Sequence, residues 1–246
     1  MRETRMAGWP RVVAHRGASK TTPENTLPAF VKALSLGVAE VEFDLWATAD
    51  GGVVVCHDRT LDRTTTGKGL IRDATLAALR GLDAGVWRGQ EWAGARVPTV
   101  EEVFELVAGR AVMNIHVKEP GPGGLILKRV KELAERHKVV EQVYVAGQRD
   151  VMECAKGLAP ELGRCCLEGA AKGSEQIERA LELDCQRIQF SVKCCSDDDI
   201  RRARDLGLVV NFFFCDEPVE AARLFDVGVM ALLTNCPEVV KPPAVR

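Results

Sequence analysis

Eight short apolar, β-branched runs separated by stretches of helical spacing constrain this chain more than any other feature. They fall at residues 12–15, 41–45, 113–118, 143–146, 164–167, 187–190, 209–214 and 230–234. Between them apolar residues recur at three- and four-residue intervals, as in Leu27, Phe30, Val31 and Leu34, or Val100, Val103, Phe104 and Val107. The same spacing holds for Ile126, Val130, Leu133 and His137, and for Val151, Cys154, Ala155 and Leu158. Each set places one apolar stripe on a helix. Strands alternating with helices point to a parallel sheet, and closing it into a barrel accounts for eight repeats better than an open doubly wound sheet. The expected fold is therefore α/β, a (β/α)8 TIM barrel forming a single domain over residues 1–246, and a 46% hydrophobic chain of this length can bury such a core.

Local chemistry marks the element ends. Thr99 with Glu102 forms a candidate capping box, Ser196 with Asp199 a weaker one, and Pro218 suits a first helical turn. Gly37, Gly207 and Gly228 stand where a left-handed helix end is wanted, directly before the next strand. Asp50-Gly51-Gly52 reads as a tight turn into a ninth extended run at residues 53–56. Residues 58–98 exceed an ordinary connection and are expected to form a small insertion packed over the barrel mouth, with Trp87 and Trp92 in it.

A net charge of -2 with both signs intermixed carries no electrostatic footprint for nucleic acid or an anionic membrane surface. No stretch reads as a secretory signal or a bilayer span, so no stable membrane insertion is expected. Nine cysteines without a Cys-x-x-Cys pair read as reduced thiols, which favours a cytoplasmic location.

Glu42 and Asp44 lie two apart on a strand, which sends both carboxylates to one side while Val41, Phe43 and Leu45 face the helices. Two carboxylates aimed into a barrel mouth repel one another unless compensated, so the pair suits a divalent cation; a salt-bridged pair is the simpler alternative. Asn114, His116 and Lys118 alternate in the same way with Met113, Ile115 and Val117. His116 could add an imidazole to the cation site, and Lys118 could hold a phosphate oxygen or pair with a neighbouring carboxylate. His15, followed by Arg16, ends the first strand, and His57 directly follows the ninth run. Two histidines flanking a phosphate could pass protons to and from its oxygens. His137 falls on a helix stripe and carries no assigned function.

These residues bring a family into view. The segments His15-Arg16-Gly17-Ala18, Pro23-Glu24-Asn25-Thr26, Glu42-Phe43-Asp44, His57-Asp58, Leu61-Asp62-Arg63-Thr64-Thr65 and Leu233-Thr234-Asn235-Cys236-Pro237 resemble those of the glycerophosphodiester phosphodiesterases, from residue 12 to about residue 240. The resemblance implies a (β/α)8 barrel that hydrolyses glycerophosphodiesters to glycerol 3-phosphate and an alcohol, a small-molecule phosphodiester being its partner. It implies His15 and His57 as the acid/base pair, Glu42 and Asp44 as metal ligands, and Arg16 and Lys118 as phosphate contacts. One divalent ion is implied, Mg or Ca.

Three positions depart from the family pattern. His116 stands where a third metal carboxylate is usual, which moves preference toward Mn, Co or Zn. Gly147-Gln148 replaces a common Ser-Phe, and Phe213 a common tryptophan, so the alcohol pocket is expected to differ. Alternative readings are a related phospholipase D-like lyase releasing a cyclic phosphate, a Schiff-base enzyme using Lys118, and a degenerate barrel that only binds phosphorylated ligands.

Overall fold

A computed structural model describes residues 10–168 and 172–243. The strands are β1 (Arg11–His15), β2 (Glu40–Ala47), β3 (Val53–Val55), β4 (Val112–Val117), β5 (Val143–Gly147), β6 (Gly163–Cys166), β7 (Arg187–Ser191), β8 (Val209–Phe213) and β9 (Ala231–Thr234). The helices are α1 (Leu27–Ser35), α2 (Leu76–Arg80), α3 (Val100–Val107), α4 (Leu125–Arg136), α5 (Arg149–Leu158), α6 (Gly173–Glu182), α7 (Asp197–Asp205) and α8 (Pro218–Val227). Eight strands run parallel, and β1 pairs with both β2 and β9, so the sheet closes on itself as a (β/α)8 barrel. β3 is the exception: it folds back antiparallel on the far end of β2, with Leu45 opposite Val55 and Ala47 opposite Val53.

Strand alternation sorts side chains into two layers. Val41, Phe43 and Leu45 of β2 join Met113, Ile115 and Val117 of β4 in the core shared with the helices, where Phe43 meets Phe30 of α1 edge to face at 5.8 Å. Their sequence neighbours Glu40, Glu42, Asp44 and Asn114 are buried on the other side, inside the barrel. Buried polar groups need partners, and the lower barrel supplies them. Tyr144 donates its hydroxyl hydrogen to Glu40, Arg11 reaches Glu40 at 3.5 Å, and Asn211 donates to the Tyr144 oxygen at 2.7 Å. The Arg187 guanidinium lies 4.1 Å from the centre of the Tyr144 ring. This polar plug closes the floor and leaves chemistry to the opposite end, where the strands' carboxyl ends converge.

Both capping boxes form in full: Thr99 accepts from the Glu102 amide and Ser196 from the Asp199 amide, with each acidic side chain returning the bond. Pro218 opens α8, and Gly37 and Gly207 follow α1 and α7 with φ of 73° and 84°. The segment after β3 builds a second apolar cluster of Leu61, Ile71, Leu79, Ala84 and Val97 against Val54, Cys56 and Trp46. Trp87 packs back on its own segment, its indole N–H donating to the Ala84 carbonyl. His137 ends α4 against Phe104, a structural contact.

Candidate active site

The turn after β1 sets the geometry. Arg16 adopts φ 56°, and Gly17 follows at φ 81°, where an added Cβ would stand 2.6 Å from that of Ala29. A left-handed arginine is costly by about 1 kcal/mol. The bend lets Arg16 act twice: its backbone N–H donates to Glu42 Oε2 at 3.0 Å, and its guanidinium reaches Glu24 at 2.9 Å and Asp44 at 3.5 Å.

Around Asp44 the donors are dense. Lys118 Nζ lies 2.7 Å and His116 Nδ1 3.0 Å from Oδ1, while Asn25 Nδ2 donates to Oδ2 at 2.8 Å. Burial disfavours the Asp44 anion, but Lys118, His116 and Arg16 together hold its carboxyl well below the usual range. Glu42 has the opposite balance: burial, then repulsion from Asp44, pushes its carboxyl up. Lys118 sits one residue past β4, and its ammonium also stands 2.9 Å from His116 Nδ1. With its hydrogen on Nδ1 the His116 ring donates to Asp44, and with its lone pair there it accepts from Lys118, so the tautomer sets which neighbour it bonds and which ring nitrogen can ligate a cation. Lys118 thus pairs with a neighbouring carboxylate, the alternative to a free phosphate contact.

One ligand atom each from Glu42, Asp44 and His116 lies within 4.8 Å of the others. Two buried carboxylates and an imidazole form a chemically suitable donor set for a divalent ion, and the Lys118 ammonium already drawn to Asp44 and His116 shows that the corner attracts positive charge.

Each flanking imidazole is held from behind. His15 Nδ1 bonds Asn235 Oδ1 at 2.8 Å, and Asp216 fixes the Asn235 amide through both its Nδ2 and its backbone N–H. The free His15 Nε2 points toward Glu42 Oε2, 3.9 Å away, while Phe214 stacks on the ring with centroids 5.5 Å apart. Burial, then the Arg16 charge, lowers His15 to about 4. His57 Nδ1 bonds Asp58 Oδ1 at 2.7 Å, and Arg63 clamps Asp58 while also binding Glu24. Burial lowers the His57 pKa, opposed first by Asp44, so both rings are neutral at pH 7.

The seven residues singled out in the sequence therefore gather at one end of the barrel. Sequence reasoning gave no role to Glu24, Asn25, Asp58, Arg63 and Asn235, although all lie in the quoted segments, and it passed over Asp216 and Ser19, whose hydroxyl bonds Asn235 at 3.0 Å. Of the expected pocket departures, Phe213 belongs to the barrel interior beside Tyr144 and Leu233, and it is the half-exposed Phe214 that faces His15. Gly147 ends β5, where a Cβ would press on Val151 at 2.8 Å or less.

A closed (β/α)8 barrel with paired histidines, acidic residues and fixed cations at the carboxyl ends of its strands defines a barrel enzyme for an anionic substrate. The Glycerophosphoryl diester phosphodiesterase family model matches residues 15–239, and the chain belongs to that family. It is 42% identical to a glycerophosphodiester phosphodiesterase of Caldanaerobacter subterraneus subsp. tengcongensis, covering 92% of this chain and 94% of that one. A Bacillus subtilis glycerophosphodiester phosphodiesterase is 30% identical over 92% of this chain and 83% of its own length. Among solved structures, an Oleispira antarctica phosphodiesterase in complex with the product sn-glycerol-3-phosphate superposes with a TM-score of 0.84 at 29% identity, covering 94% of each chain. The chain is a phosphodiesterase of the glycerophosphodiester class. Among the described residues, no helix is long and apolar enough to cross a membrane.

Proposed function

We propose that this enzyme hydrolyses glycerophosphodiesters to sn-glycerol 3-phosphate and an alcohol, with His15 and His57 as the acid/base pair. Glu42, Asp44 and His116 would ligate one divalent cation, and Arg16 and Lys118 would contact the phosphate. The barrel would work as a single domain with residues 58–98 as its insertion. The nine unpaired thiols suit a reducing, cytoplasmic setting.

The observation that carries this reading is that both imidazoles are anchored through Nδ1, by Asn235 and by Asp58, which leaves each Nε2 for proton transfer. Lys118 and Arg16 bring fixed positive charge to where phosphoryl oxygens gather negative charge. A divalent ion, when bound, supplies Lewis-acid charge at a phosphoryl oxygen. The Asp58 carboxylate stabilises the imidazolium form of His57, and Arg63 keeps that carboxylate in place.

Phosphorus NMR of a glycerophosphodiester digest with added divalent ion tests the reading. Glycerol 3-phosphate should accumulate, and His15→Ala or His57→Ala should slow it about a hundred- to ten-thousand-fold. A cyclic phosphate as the final product, or near-native rates in both variants, would overturn it.

A further inference from the structure

The charged groups nearest the phosphate residues are committed to one another: Arg16 to Glu24 and Asp44, Arg63 to Glu24 and Asp58, Lys118 to Asp44. Beside them lies a cavity of about 260 Å³ lined by Trp46, Arg59, Leu70, Arg72 and Glu119. It adjoins the site on two sides. Trp46 follows Asp44 by two residues on β2 and donates its indole N–H to the His57 carbonyl at 3.2 Å. Glu119 directly follows Lys118, on the connection from β4 to α4.

The charges facing this cavity are uncommitted. Among the described residues, no hydrogen bond or ion pair engages the side chain of Arg59 or of Glu119, and Arg72 has only Asp73, at 3.9 Å. An occupant with one sign of charge would satisfy one wall and be repelled by the other; a neutral polyol would leave both walls facing only hydroxyls. An occupant with an ammonium and a carboxylate satisfies both, the first on Glu119 beside the Trp46 ring, the second on the guanidiniums.

We propose that this cavity is the subsite for the alcohol half of the substrate, and that it selects an alcohol bearing both an ammonium and a carboxylate group, serine being the simplest. This rests on the hydrolase reading above. Residues 58–98 thereby gain a role: Arg59, Leu70 and Arg72 come from the insertion, so it shapes headgroup choice.

The test compares kcat/KM for sn-glycero-3-phosphoserine, -phosphoethanolamine and -phosphoglycerol, because ratios are blind to losses of folding or cation that slow every substrate alike. The parent enzyme should favour phosphoserine about tenfold over phosphoethanolamine, the modest scale expected of charged contacts at a partly exposed wall. Arg59→Gln together with Arg72→Gln should erase that preference, and Glu119→Gln should lower both ammonium-bearing substrates relative to phosphoglycerol. Ratios near one in the parent, a parent preference for phosphoethanolamine, or ratios unmoved by these changes would overturn the subsite while leaving hydrolysis intact. Failure to cleave any of the three would instead sink the hydrolase reading, and the subsite with it.

Discussion

Two substitutions of the same formal size should have opposite effects on the metal-free protein. Asp44→Asn removes an anion that receives Lys118 at 2.7 Å, Asn25 at 2.8 Å and His116 at 3.0 Å, with Arg16 at 3.5 Å. Its loss leaves buried cations without their counter-charge, a change that costs about 3–5 kcal/mol when one partner of a buried pair is deleted. With an unfolding entropy of roughly 2.1 cal/mol/K per residue over 246 residues, about 0.5 kcal/mol/K, the melting temperature should fall by about 6–10 °C. Glu42→Gln deletes a carboxylate whose ionised form is opposed by burial and by Asp44, while the amide oxygen can still accept from the Arg16 N–H. The metal-free protein should be unchanged or slightly stabilised. Both variants should lose divalent-ion affinity. Melting in chelator, followed by ion titration into each variant, gives both quantities. An equal loss of stability in the two variants would refute the charge balance assigned to this pair.

The ligand at position 116 and the buried rings give further expectations. His116→Glu should strengthen Mg and Ca relative to Mn and Zn, and His116→Ala should weaken every divalent ion by about tenfold or more, as loss of even an outer partner does; isothermal titration with each ion reads this directly. An unchanged affinity in both variants would remove His116 from the ligand set. Burial followed by Arg16 lowers His15 to about 4, and burial followed by Lys118 does the same for His116, whereas both titrate near 6.5 when unfolded. The unfolded chain therefore binds more protons between those values, so stability is present above pH 6.5 and lost as pH falls toward 4. Glu42, shifted upward, opposes part of this, but the lowered rings of His15, His57 and His116 outnumber it, so the net sign stays with the imidazoles. Melting temperatures in chelator should fall from pH 6.5 to pH 5, and a flat profile would contradict the burial of these rings.

What the sequence made legible follows from periodicity. Alternation along β2 and β4 separates Glu42, Asp44 and His116 from Phe43 and Ile115, because a period of two admits only one assignment once one face is buried. The caps at Thr99 and Ser196 are local and equally readable. The supports of the histidines are not local: Asn235 meets His15 across 220 positions, and nothing near Asp216 marks it as the group that orients that amide. The same holds for the floor, where Glu40, Tyr144 and Asn211 meet only after the barrel closes. The aromatic over His15 is Phe214, one residue from the position singled out, because Phe213 turns into the barrel and its neighbour turns out. The insertion could be seen as too long for a connection, but its own apolar cluster depends on β3 folding back, which brings Val54 and Cys56 to it.

Phosphodiester cleavage by this enzyme should require a divalent ion held by Glu42, Asp44 and His116. Hydrolysis of a glycerophosphodiester after exhaustive chelation, followed by stepwise return of Mn, measures this most directly. Activity should vanish in chelator and return in proportion to one ion bound per chain, with no return for Asp44→Asn. A full rate in chelator, or the same ion stoichiometry in Asp44→Asn, would contradict it.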